Sequence, residues 1–291
     1  MRALLENRGF FAILFLCSFF LVFVLSYPLG KAKKERQGAF LFPDSGLVRA
    51  LSFECEPFLA DNLWIRVVQF IGEINLDNVH KKIKNVLATS VLSIPDVDSS
   101  FVFPLEAASS VLSVGLNEPF LSSKLLEKGM LLAPNSWKFP FYLAFNAYFY
   151  GNEYKKAAFL LSLAAKKEGC PGYVAQLAGK FYAYAGDPYQ GLRFLEQMEG
   201  LESLKDFKGS IEKRKKEIAL TIHIKEIETI IEKFKKKSGW YPHTMEELKL
   251  AGFMEKIPAE PFGGHYAINP KTRKVYSTSG VKPLSRDSSY F

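Results

Sequence analysis

Histidine and cysteine side chains come first in any search for chemistry, because they supply metal ligands, nucleophiles and proton carriers. The four histidines, His80, His223, His243 and His265, are scattered, and none belongs to a zinc-spaced Cys or His cluster. Of the three cysteines, Cys17 falls inside an apolar run. Cys55 and Cys170 would have to meet across the fold to bond, so they read as two free, buried thiols. Gly263-Gly264-His265 reads as a conformational turn. The sequence has no phosphate-cradling Walker loop, no dinucleotide-binding glycine motif and no G-x-S-x-G nucleophile elbow. No reaction, metal or cofactor is therefore expected, and the reading moves to the elements that could present a binding surface.

The first of these is a run of about twenty uncharged residues from Phe10 to Leu29, long enough at roughly 1.5 Å per residue to match a bilayer core of about 30 Å. A cleaved signal would be shorter, with small residues at the cut, whereas the one site of that form, Gly30-Lys31-Ala32, has lysine at its centre. A lipoprotein is disfavoured because Cys17 follows Leu14-Phe15-Leu16 and the run continues past it. A buried soluble helix would need a partner covering it on all sides. Residues 1–36 are thus expected to be a single-pass anchor, contacting the bilayer through residues 10–29. Positive residues flank the run on both sides, which leans weakly toward a cytoplasmic body. The short basic start followed at once by an apolar core favours an extracytoplasmic one.

Composition excludes a disordered tail: 48% hydrophobic, 14% aromatic and 23% charged. Of the formal net charge of +8, half belongs to the first 36 residues, which carry six basic and two acidic side chains. The rest is diluted over the body, so no nucleic-acid partner is expected. The cluster from Lys31 to Arg36 suits anionic lipid head groups.

Residues 37–100 read as an irregular lead-in and a helix pair. Phe58, Leu59, Leu63, Trp64, Val67, Val68 and Ile71 form one apolar face, with Trp64 as core. A second helix is expected from about Asp77 to Ser93, with Asp77 as N-cap and Pro95 just past its end.

Over residues 101–202 the pattern repeats at the scale of a helix pair. Ser122, Ala157 and Gly191 are small residues at spacings of 35 and 34, followed four positions on by Leu126, Leu161 and Leu195. Gly129, Ala164 and Met198 come three later, and the turns at Tyr150-Gly151-Asn152-Glu153-Tyr154 and Ala185-Gly186-Asp187-Pro188-Tyr189 match. Small residues let paired helices approach closely, and the aromatic fills the gap between them. This arrangement resembles the tetratricopeptide repeat family, whose units of about 34 residues space small, aromatic and proline residues in the same way. Three degenerate units are expected, with residues 51–93 as a diverged fourth.

The resemblance implies an all-α superhelix whose inner helices line a groove for a protein or peptide. Carried over residue by residue, Tyr142, Asn146, Phe149 and Tyr150 correspond to Gln176, Lys180, Ala183 and Tyr184. The implied groove residues are Tyr142, Asn146, Tyr150, Gln176, Lys180 and Tyr184, with Asn146 and Lys180 able to hold a peptide backbone and a carboxylate. The alternative is that Tyr150 and Tyr184 are packing and Lys180 a solvated charge.

Residues 203–291 open with a long charged helix from Lys205 to Lys237, expected to break near Gly209, whose narrow apolar face holds Ile211, Ile218, Ile222, Ile227, Ile230, Ile231 and Phe234. Tyr241-Pro242 ends it, Thr244 caps a short helix with Glu247 three residues on, and Gly252 closes that helix. Tyr266-Ala267-Ile268 and Lys274-Val275-Tyr276 then form a hairpin. Residues 225–280 are similar to the carboxy-terminal part of type II secretion pseudopilins. Gly9-Phe10 resembles a prepilin cleavage point, but Leu14 stands where that family has glutamate. The expected whole is a solenoid with an N-terminal membrane helix and a small α+β C-terminal cap. Its expected function is either a scaffold for protein–protein interaction in the cell envelope or a structural subunit of a secretion or pilus-type assembly.

Overall fold

The computed structural model describes residues 55–74, 76 and 79–285, together with Gly46. The expected membrane helix at residues 10–29, the lead-in at 37–48 apart from Gly46 and the expected N-cap Asp77 lie outside the described residues. Among the described residues no helix is long and apolar enough to cross a membrane.

The described chain is mostly helical, with one two-stranded sheet. Helices α1 (Glu56–Glu73) and α2 (Lys81–Val97) form a first pair. They are followed by α3 (Phe103–Ser110) with α4 (Pro119–Leu132), α5 (Lys138–Phe149) with α6 (Tyr154–Ala165), and α7 (Tyr173–Tyr184) with α8 (Pro188–Met198). A 3-10 turn, Glu202–Phe207, leads into α9 (Lys208–Ser238), which packs on both α7 and α8. Beyond it come α10 (Met245–Leu250), β1 (Tyr266–Ile268) and β2 (Val275–Ser277).

The second helices of all four pairs repeat the same buried face. Leu87, Ser122, Ala157 and Gly191 are buried in turn, as are Val91, Leu126, Leu161 and Leu195, and then Ile94, Gly129, Ala164 and Met198. Gly191 marks a close approach of helix backbone, since a Cβ built there would lie 2.7 Å from the Gly179 carbonyl oxygen. Gly191→Ala gains helix propensity worth about 1 kcal/mol. The collision is with backbone, however, so overpacking of about 1–3 kcal/mol should win and the variant should melt lower. Gly209 in α9 has nothing within 4 Å of a built Cβ. Gly209→Ala should therefore leave stability unchanged or raise it, by up to about 1 kcal/mol. Thermal melts of the two variants should move in opposite directions if the α7–α8 contact is as described.

Two expectations about helix ends are corrected. Pro95 lies inside α2 and is buried. Proline there withholds a donor from the Val91 carbonyl, while Lys128 of the next pair holds the same turn from outside, donating to the Leu92 carbonyl at 2.6 Å and pairing with Asp96 at 2.6 Å. The long helix is not broken at Gly209 but begins at Lys208, immediately after the 3-10 turn. The Phe207 ring fixes that corner by seating against Gly172, where a built Cβ would lie 2.3 Å from the ring.

The hydrophobic core divides in two along α9. Ile211, Ile218 and Ile222 join the core of the helix pairs. Leu220, Ile224, Ile227, Ile231 and Phe234 join a second core with Met245 and Leu248 of α10 and Tyr266, Ile268 and Val275 of the hairpin. The hairpin is antiparallel, pairing Tyr266 with Ser277 and Ile268 with Val275. Thr244 accepts from the Glu247 N–H at 3.2 Å, and Gly252 is left-handed at φ 75° after α10.

Glu260 ties the Pro261-Phe262-Gly263 turn to the hairpin. Its carboxylate accepts from the backbone N–H groups of Phe262 (2.8 Å) and Gly264 (2.7 Å) and from the hydroxyls of Ser277 and Ser279 (both 3.0 Å). Burial pushes this carboxyl up, but the four hydrogen bonds outweigh it and hold it below the usual carboxylate range. His223 Nδ1 lies 2.8 Å from the Tyr266 hydroxyl, and burial holds that imidazole below its ordinary value.

Candidate functional site

The turns between inner and second helices explain how the inner helices are aligned. Each has one left-handed residue two positions before the second helix: Asn117 (φ 51°), Asn152 (φ 51°) and Gly186 (φ 90°). In the first two units the inner helix widens at its end, where Leu116 donates to the Val111 carbonyl at 2.9 Å and Gly151 to the Asn146 carbonyl at 3.3 Å, each five residues back. The closing bond of each turn shows the third unit to be one residue shorter: Glu118 donates to the Leu112 carbonyl and Glu153 to the Ala147 carbonyl, six residues back, whereas Asp187 donates to the Tyr182 carbonyl, five residues back, at 3.0 Å. The extra residue therefore sits in the turn, and the inner helices repeat every 35 residues. Pro104, Phe139 and Val174 are buried in succession, as are Ala108, Leu143 and Ala178, and Leu112, Ala147 and Tyr182.

This register corrects the expected groove. At a spacing of 35, Gln176, Lys180 and Tyr184 correspond to Phe141, Phe145 and Phe149, not to Tyr142, Asn146 and Tyr150. Asn146 is buried, with its amide donating to the hydroxyls of Ser122 at 2.9 Å and Ser123 at 3.2 Å. It ties α5 to α4 of the preceding pair. The Tyr150 hydroxyl donates to the Ser113 carbonyl at 2.6 Å, bridging adjacent units. Tyr142 is half-buried and meets Phe141 edge-on at 5.5 Å. Gln176 donates to Ser210 of α9 at 2.8 Å, so the chain's own helix takes that polar group.

Of the six expected residues, Asn146 and Tyr150 line one cleft of about 420 Å³ between α4 and α5, and Lys180 and Tyr184 line a second of about 260 Å³ between α5 and α7. Phe145, Tyr148 and Phe149 line its other side, and Leu177 its floor. Along α5 the rings of Trp137, Phe141, Phe145 and Phe149 form a ladder at steps of four residues, with successive centroids 5.5, 5.0 and 5.4 Å apart. Steps of four place side chains on one helix face. Phe149 remains 61% exposed and Phe145 38%, so the ladder's far end faces water. Among the described residues Lys180 is the only charged one lining this second cleft, and its ammonium stands 5.2 Å from the Tyr184 ring centroid. The arrangement can take a flat or branched apolar group against the rings and an acceptor or carboxylate at Lys180.

Sequence reasoning missed Phe141, Phe145 and Tyr148. The signal was present in the 35-residue spacing of Ser122 with Ala157 and of Gly129 with Ala164, which extends to the inner helices. The thiols differ from expectation in one respect: Cys170 is buried, but Cys55 is exposed. Burial pushes the Cys170 thiol up to about 12, so it stays protonated at neutral pH and is no nucleophile. Among the described residues no group of three or more His, Cys, Asp or Glu side chains is placed to hold a metal ion. Comparison with protein-family models, with curated proteins and with solved structures finds no match to this chain.

Proposed function

We propose that this protein is a non-catalytic, membrane-anchored adaptor of the tetratricopeptide type that holds a segment of a partner protein in the cleft between α5 and α7. The observation that carries the reading is the ring ladder ending in water beside Lys180. Exposed aromatic rings cost solvation in an isolated protein and are enriched where proteins bind one another. The partner segment presents an aromatic or aliphatic side chain to Phe145 and Phe149 and a neighbouring carboxylate to Lys180. Anchoring through Phe10 to Leu29 places the body at an envelope membrane, on its extracytoplasmic side.

A second reading, a structural subunit of an envelope secretion or pilus-type assembly, is favoured by one observation. Helix α9 occupies the inner face beside α7 and engages Gln176, so part of the expected groove is filled from within.

The triple variant Phe145→Ala/Phe149→Ala/Lys180→Ala decides between them. The variant loses the ring contacts of Phe145 and Phe149 and should melt somewhat lower, with its helical content unchanged by circular dichroism because all three side chains are partly exposed. A pull-down with the detergent-solubilised full chain should recover a partner with the unaltered protein and lose it with the variant. Equal recovery with both would overturn the cleft as the binding site and favour the subunit reading.

A further inference from the structure

The free end of the C-terminal module differs in charge from the rest of the body. Residues 233–274 carry nine basic and four acidic side chains, whereas residues 37–232 carry 21 basic and 23 acidic ones. Within the helix pairs and the first half of α9, several cations are partnered: Lys215 binds Glu199 at 2.8 Å and Glu212 at 2.9 Å, and Arg214 binds Glu217 at 2.5 Å. At the module's end, Lys236, Lys237 and Lys249 are exposed, and among the described residues none is ion-paired.

Apolar side chains project among these lysines. Trp240 is 63% exposed and Leu250 88% exposed. The two belong to one tip, because the Phe234 ring meets both Trp240 (6.5 Å) and Phe253 (5.4 Å), and Phe253 lies in the turn just after Leu250. The Lys237 ammonium stands 5.4 Å over the Phe253 ring. On another side, Tyr241 carries Lys235 at 4.2 Å and Arg273 at 5.8 Å from its ring centroid. Lysines in the last turn of α9 suit the helix dipole. That does not explain Lys256, Lys271 and Arg273, nor why Trp240 and Leu250 are left in water.

We infer that this tip seats on the anionic head-group surface of a bilayer. Lysines are attracted there without needing a fixed geometry, an indole ring settles at the head-group level, and a leucine beside it enters the acyl boundary. A nucleic acid would neutralise the lysines but offers nothing to bury Leu250. The inference does not depend on the adaptor reading.

The test uses the full chain reconstituted into phosphatidylcholine vesicles, with or without phosphatidylglycerol, whose acyl chains are brominated. Trp64→Phe/Trp137→Phe leaves Trp240 as the only indole. Brominated chains should quench it in the anionic vesicles and not in the neutral ones. Quenching should disappear at about 0.5 M salt, where the Debye length falls to about 4 Å. Lys236→Gln/Lys237→Gln/Lys249→Gln should weaken seating about a hundredfold, at roughly fivefold per lysine, with helical content unchanged by circular dichroism. Absence of quenching in anionic vesicles would overturn the proposal. So would equal, salt-insensitive quenching in both kinds of vesicle, or a larger Trp240 emission shift with soluble RNA or polyglutamate than with the anionic vesicles.

Discussion

Phe139→Ala should destabilise the protein by about 3–5 kcal/mol, the range for emptying a buried phenylalanine site. Phe139 is 1% exposed and ranks among the largest fully buried side chains. Its ring lies on Gly129 of the preceding unit so closely that a built Cβ would stand 2.2–2.6 Å from three ring atoms. Gly129→Ala alone should cost about 1–3 kcal/mol, because an aromatic ring locked in a core cannot yield as a flexible chain would. In the double variant the alanine methyl enters space that the ring has left. The two costs should then fall short of their sum by about 1–3 kcal/mol. Urea midpoints of the four proteins measure this, and strict additivity would mean that the inter-unit contact is placed wrongly.

Ala219→Pro should have a second, different signature. Ala219 lies mid-way along α9, between Ile218 and Ile222, which serve the core of the helix pairs, and Leu220 and Ile224, which serve the core of the C-terminal module. Proline there removes a helical hydrogen bond and collides with the preceding turn, at a cost of about 3 kcal/mol or more. Both cores share this helix, so the unaltered body should unfold in one transition and the variant in two. Ala219→Gly, costing about 1 kcal/mol, should lower the single transition without splitting it. One shifted transition in the proline variant would show that the two cores are not joined through α9.

How much was legible in the sequence depended on whether a residue acts locally. The small residues Ala157 and Gly191 and the leucines four positions later mark their contacts directly, because a close helix approach excludes larger side chains. Thr244, Glu247 and Gly252 mark both ends of α10 through backbone chemistry within a few residues. Pro95 was misleading, since it is buried inside α2 in a turn that Lys128, more than thirty residues away, also grips. The candidate site was misread by one position. A single extra residue in a turn changes which helix face is assigned to water: it exchanges Asn146, which holds Ser122, for Phe145, which lines the cleft.

The same turn has an evolutionary meaning. At Glu118 and Glu153 the turn closes over six residues, while at Asp187 it closes over five, yet the buried faces on both sides keep their partners. The joint behaves as a slack link, able to absorb a single-codon insertion or deletion that would rotate every side chain downstream by about 100° if it fell inside a helix. Ancestry in an array of this kind is better sought in the depth-by-depth pattern of small and large core residues than in a fixed repeat length, because length is the property that these joints leave free to drift.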